Sequence, residues 1–192
     1  MTEDTWQIIP RSEAARFVAL IEAPEYPELF TLPYLRMQQI RVPFFENARL
    51  VLVENLKSAY PFTLNYIWAG NQVFYLDGGE DVFKDIASQP GFILNKDTAL
   101  CYLRYFCAYV IQQPANVMVY QGIEFMPFTD TSHLDFQFDS RNFTENDIKV
   151  LEKDDKTGFI VTGPFIFQGK IDPATAYIDN NGLVRIEKGI KA

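Results

Sequence analysis

Two stretches of the chain repeat apolar side chains at helical spacing. In the first, Ala14, Phe17, Val18 and Ile21 share one face, Leu20 lies at its margin, and Arg16 and Glu22 fall off it, as in an amphipathic helix. Ser12 stands at its start as an N-cap, a hydroxyl that accepts from orphan N–H groups of the first turn. Pro24 marks the stop, so a helix is predicted over about residues 12–22. The second stretch predicts a longer helix over about residues 96–112, capped by Asn95 or Asp97 and closed before Pro114. Ala99, Tyr102, Leu103, Phe106, Tyr109 and Val110 share a broad face, with Cys107 beside them; Asp97, Cys101, Arg104 and Ala108 take the other. An apolar arc this wide predicts a helix covered over most of its surface.

Elsewhere the period falls to two. Arg49, Val51 and Val53 alternate with Leu50, Leu52 and Glu54, a run suited to a well-covered strand. Runs 62–69 and 72–76 flank Gly70-Asn71, and a glycine-first pair suits a type II′ hairpin because glycine takes positive φ without a Cβ clash. Residues 82–87 suit a short helix, and 117–121 a strand. Residues 125–143 are turn-rich, with Leu134, Phe136 and Phe138 alternating as a further strand. Thr144-Glu145-Asn146-Asp147 resembles a capping box that opens a short polar helix. The C-terminal third reads as a meander of 158–167, 174–178 and 183–187, turning last at Asp179-Asn180-Asn181-Gly182. Between Pro24 and Pro43 the prolines predict a connector that wraps the core with the rings of Tyr26, Phe30, Tyr34 and Phe44 tucked in, the alternative being an exposed docking strip of aromatic anchors.

Hairpin signals without alternating βα units predict an α+β fold: a largely antiparallel, meander-rich sheet of about seven to nine strands. The 96–112 helix packs across it, and the 12–22 helix lies beside that helix or at an edge. The 192 residues fit a single globular domain, long enough to bury a core without a disulfide or metal. Apolar residues at 48% and charged residues at 22% match globular chains and argue against long disorder. Aromatic residues, at 15%, include 17 Phe and 10 Tyr, a surplus that stiffens a β-rich core.

Charge narrows the partners. With 25 acidic against 17 basic residues and a net charge of −8, the chain is a poor match for nucleic acid or for an anionic membrane surface. A basic protein partner or self-association is the compatible alternative. The N-terminus lacks the basic start and apolar run of a secretory signal. No apolar stretch is long enough to span a bilayer. Cys101 and Cys107 lie six residues apart, about 9 Å along a helix and on different faces. They cannot bridge there. Reduced thiols suit the cytoplasm.

The common catalytic signatures fail on inspection. His133 is the sole histidine, too few for a histidine-based zinc site. The 158–163 segment places Pro164 where a phosphate-binding loop needs lysine. No Gly-x-Gly-x-x-Gly and no Gly-x-Ser-x-Gly occur. No metal or cofactor is implied. Five residues remain as candidate ligand contacts. Asp77, Glu80 and Asp81 surround a glycine pair that lets backbone approach a ligand. Arg104 lies beside Cys101 on the polar face of the long helix, and His133 precedes Asp135. Two function classes follow: a non-catalytic interaction or adaptor protein, and a small enzyme or ligand-binding domain whose polar groups converge only in three dimensions.

Overall fold

The computed structural model describes residues 5–21, 30–56, 62–110, 117–119, 147–167 and 170–189. Backbone contacts divide the chain into two compact units, Met1–Asp77 and Gly78–Ala192. The fold is α+β, with strands dominating and each sheet antiparallel. The strands form two sheets rather than the single sheet that their number suggested.

The first unit is a meander. Its strands β1 (Gln7–Ile8), β2 (Leu35–Arg41), β3 (Ala48–Asn55), β4 (Phe62–Ala69) and β5 (Gln72–Tyr75) stand in the sheet in chain order. The β4–β5 hairpin is the predicted one: Ala69 pairs with Gln72, and Gly70 has φ +60° while Asn71 stays at negative φ. β3 buries both of its faces, as its double apolar run requires. Helix α1 (Arg11–Leu20) lies on the face formed by Met37, Val51, Val53, Tyr66 and Trp68. Its Phe17 is fully buried and presents its ring edge-on to Tyr66 at 5.4 Å and to Trp68 at 5.3 Å. Each such pair adds about 0.5–1.5 kcal/mol beyond its area burial.

Two expectations for this unit need correction. Ser12 is not the N-cap of α1. Pro10 holds that position, and its carbonyl accepts from Glu13 and Ala14 N–H, which places Ser12 inside the first turn. The proline-rich stretch is not all connector either. After a 3₁₀ turn over Leu32–Tyr34, residues 35–41 become β2, in full register with β3 from Leu35–Asn55 to Arg41–Arg49. Phe30 and Phe44 are tucked in as expected, but Tyr34 is exposed, and Tyr26 lies outside the described residues.

The second unit has a less local order. Strand β8 (Gly158–Phe167) is its spine. One side of β8 carries β9 (Lys170–Asp179) and then β10 (Val184–Lys188). Two short strands share the other side: β7 (Lys149–Glu152) pairs with 159–162 and β6 (Val117–Val119) with 165–167. Pro164 stands opposite Pro173 of β9 and falls between the β7 and β6 pairings, so on that side its missing N–H breaks no ladder. The run after Asp147 was expected to coil as a helix. Instead Val150 and Leu151 pair with Val161 and Ile160 as β7, because strand pairing outweighs a weak local helix signal. Residues 144–146 of the apparent capping box, the 125–143 stretch and His133 lie outside the described residues.

Helices α2 (Asp81–Ser88) and α3 (Ala99–Tyr109) pack through aromatic edges. The Phe83 ring meets Tyr102 at 5.9 Å and Phe106 at 5.3 Å, and Phe92 meets Tyr102 at 5.4 Å. All of Ala99, Tyr102, Leu103, Phe106, Cys107 and Tyr109 are buried, while Cys101 and Arg104 are half-buried. The predicted apolar face of this helix is therefore the observed one. The turn before α3 is closed by Asn95, whose Oδ1 accepts from the N–H of Asp97 (2.9 Å) and Thr98 (3.1 Å). Thr98 Oγ1 accepts in return from Asn95 N–H at 2.9 Å, which makes a reciprocal capping box.

Candidate functional site

Glu80 and Asp81 meet at the start of α2, where acidic side chains complement the helix dipole. One turn on, Lys84 Nζ donates to Glu80 Oε1 at 2.7 Å and to Asp81 Oδ1 at 2.8 Å. These hydrogen bonds, Asp81's first, push the Lys84 pKa up to about 12. Both carboxylates are thus already engaged by a cation that the sequence reading passed over. The signal was present, since spacings of three and four on a helix place Lys84 over both acids.

Lys84 also lines a groove of ≈ 450 Å³ together with Ala87, Ser88, Asn181 and Leu183. One wall is the second half of α2 and the other is the β9–β10 turn. That turn closes as expected: Gly182 N–H donates to the Asp179 carbonyl at 2.8 Å, and Gly182 takes φ +80°. It is fixed from below by Tyr102, whose hydroxyl donates to the Gly182 carbonyl at 2.7 Å. Burial raises the Tyr102 pKa, so the phenol stays a donor across the physiological range. A Cβ at residue 182 would lie 2.5 Å from Ala87 Cβ and 2.7 Å from Tyr102 Oη. Only glycine lets the turn approach the helices so closely.

The groove offers one ammonium, one hydroxyl and one amide over an apolar floor. Ser88 Oγ donates its proton to the Asp85 carbonyl at 2.7 Å, and Asn181 Oδ1 accepts from Leu183 N–H at 3.2 Å. These polar groups serve the local turns first, and among the described residues Ser88 has no base positioned to activate it.

Of the residues singled out from the sequence, Glu80 and Asp81 come together around Lys84. Asp77 is exposed and ends the first unit. Arg104, half-buried on α3, does not line the groove. Asn181 and Leu183 were missed because nothing local in the sequence joins them to α2. Neither cysteine is in a disulfide, and burial pushes the Cys107 thiol up to about 12, which leaves it inert. Among the described residues no group of three or more His, Cys, Asp or Glu is placed to hold a metal, and no helix is long and apolar enough to cross a membrane.

The first unit carries a different kind of surface. Leu32, Tyr34 and Leu56 are 37%, 41% and 62% exposed. Leu56 N–H donates to the Tyr34 carbonyl at 2.9 Å, so these residues sit together at the end of the sheet where β2 begins and β3 finishes. Beside them, Arg36 Nε and Glu54 Oε2 form an ion pair at 3.4 Å. Comparison with models of protein families, with curated proteins and with solved structures finds no match to this chain.

Proposed function

We propose that this chain is a non-catalytic, adaptor-type interaction protein that docks a basic partner protein through the apolar end of its first sheet. The observation that carries the reading is the exposure of Leu32, Tyr34 and Leu56 on backbone tied together by hydrogen bonding. Apolar side chains on fixed backbone offer contact area at little ordering cost, and an exposed tyrosine suits an interface core. The net charge of −8 favours a basic partner by steering encounter. Two cysteines outside any disulfide suit a reducing compartment such as the cytoplasm.

The test is photocrosslinking from position 56 in an extract of the source organism, followed by purification of the captured protein and measurement of its affinity. A basic partner is expected, bound at least tenfold more weakly by Leu56→Asp, or about 1.4 kcal/mol. Lys84→Gln, in the other unit, should leave that affinity unchanged. Equal binding by wild type and Leu56→Asp would remove the reading, and so would the absence of any reproducible adduct.

A second reading, a small-molecule-binding domain, draws on the ≈ 450 Å³ groove beside Lys84. It is favoured instead if one compound raises the melting temperature of wild type but not of Lys84→Gln.

A further inference from the structure

Arg41 and Arg49 stand directly opposite each other across β2 and β3, and Trp68 stands opposite Arg49 across β3 and β4. Directly opposed residues point to the same side of a sheet, so two guanidinium groups share one face. Like charges in that register repel. Arg49 is held in place on three sides. Its Nη1 donates to Glu13 Oε1 at 2.5 Å and to Gln39 Oε1 at 2.7 Å, and its guanidinium carbon lies 5.2 Å from the centre of the Trp68 ring. Gln39 is itself buried, and Trp68 is fixed in turn by an indole N–H that donates to the Gly70 carbonyl at 3.0 Å. Arg41 is exposed and has no hydrogen-bond or ion-pair partner among the described residues.

We propose that this arginine pair is a receptor for a carboxylate, a site that does not depend on the docking surface proposed above. The asymmetry of the pair is the argument. Arg49 is oriented before any ligand arrives, with only one of its nitrogens committed to Glu13 and Gln39. Arg41 brings a second planar fork of donors to the same face and supports no core contact. Guanidinium forks match planar oxyanions bidentately. Charge selects the class: Arg41, Arg49 and Glu13 sum to +1, so a single carboxylate neutralises the group, whereas a phosphate dianion leaves excess negative charge beside Glu13.

Trp68 provides the readout, because it touches Arg49. In the full chain, the Trp68 indole N–H resonance is followed by NMR during titration with sodium acetate, with chloride holding ionic strength constant. A saturating shift is expected with a dissociation constant on the order of 1–10 mM. Arg41→Gln should weaken it at least tenfold, and Arg16→Gln, on the exposed side of α1, should leave it unchanged. A response equal to that of chloride alone overturns the proposal, as does an undiminished response in Arg41→Gln. Phosphate binding tenfold tighter than acetate would overturn the carboxylate assignment.

Discussion

The two units secure their helices in opposite ways. In the first, α1 is pinned by one aromatic, Phe17, and by a polar anchor in which Arg49 joins Glu13 of the helix to Gln39 of the sheet. In the second, the seam between α2 and α3, beneath the β9–β10 turn, is dry. It is built from Phe83, Phe92, Tyr102 and Phe106, with one neutral hydrogen bond from Tyr102 to Gly182. Sheet order differs in the same direction. Neighbouring strands of the first unit are consecutive in the chain, whereas β8 of the second gathers β6, β7 and β9 around itself. Short-range pairing costs little loop entropy, so the first unit can tolerate a partly polar core face. The second closes longer loops and relies on tight, apolar contact to offset them.

The largest effects should come from removing each unit's central ring. Phe17→Ala and Phe106→Ala each leave a cavity in a closed cluster and should cost about 3–5 kcal/mol. Both residues are at most 1% exposed. Hydrogen exchange should locate the damage: Phe17→Ala should lower protection mainly in β3 and β4, and Phe106→Ala mainly in β8 and β9. Uniform loss across both sheets in both variants would mean that the chain responds as the single domain expected from its length, and the contrast drawn above would fail.

A smaller effect separates two glycines of positive φ. A Cβ at Gly70 (φ +60°) meets nothing within 4 Å, whereas one at Gly182 (φ +80°) collides with Ala87 and Tyr102. Gly70→Ala should therefore cost only the left-handed backbone term, about 1–2 kcal/mol. Gly182→Ala adds overpacking of about 1–3 kcal/mol. Adding Tyr102→Phe to Gly182→Ala relieves part of the clash, so the double variant should be less unstable than the sum of the two single changes. Equal costs at the two glycines, read from urea denaturation, would show that the β9–β10 turn is not held tightly against α2.

What could be read in advance follows the same division between local and distant. The Gly70-Asn71 hairpin, the buried face of α3 and the C-terminal meander were legible because turn chemistry and periodicity are written in neighbouring residues. β2 was not. Its Leu35-Arg36-Met37-Gln38-Gln39-Ile40-Arg41 run is polar on much of both faces and sits among prolines, so its strand character comes from pairing with β3. β7 was hidden for the same reason, four residues made extended by β8. At the start of α2, the cluster of Glu80 and Asp81 could be picked out from sequence because the two are adjacent, although neither lines the groove. Asn181 and Leu183 could not, because the Tyr102–Gly182 bond that brings their turn to α2 joins residues eighty apart in the chain. The Arg41–Arg49 pair was equally invisible, since it exists only once the register of β2 is known.

The dry seam of the second unit also predicts a response to alkali. Burial pushes the Cys107 thiol from its ordinary 9.0 up to about 12, and raises Tyr102 and Tyr109 as well. In the first unit burial, aided by nearby Tyr75, raises Tyr66 from 10.0 to about 12. Each group keeps its proton longer folded than unfolded, so the unfolded chain binds fewer protons and stability falls as pH rises. For Cys107 the stabilisation is complete below pH 9.0 and is lost between there and about 12, which amounts to about 1 kcal/mol by pH 10. The tyrosines join a unit later, from 10.0 upward. Cys107→Ala lowers stability at every pH through its lost packing, but it should lose about 1 kcal/mol less than wild type between pH 8 and pH 10. Urea denaturation at those two pH values measures both slopes. Parallel losses in the two proteins would mean that the Cys107 thiolate already reaches water in the folded chain, and that the seam around α3 is not dry.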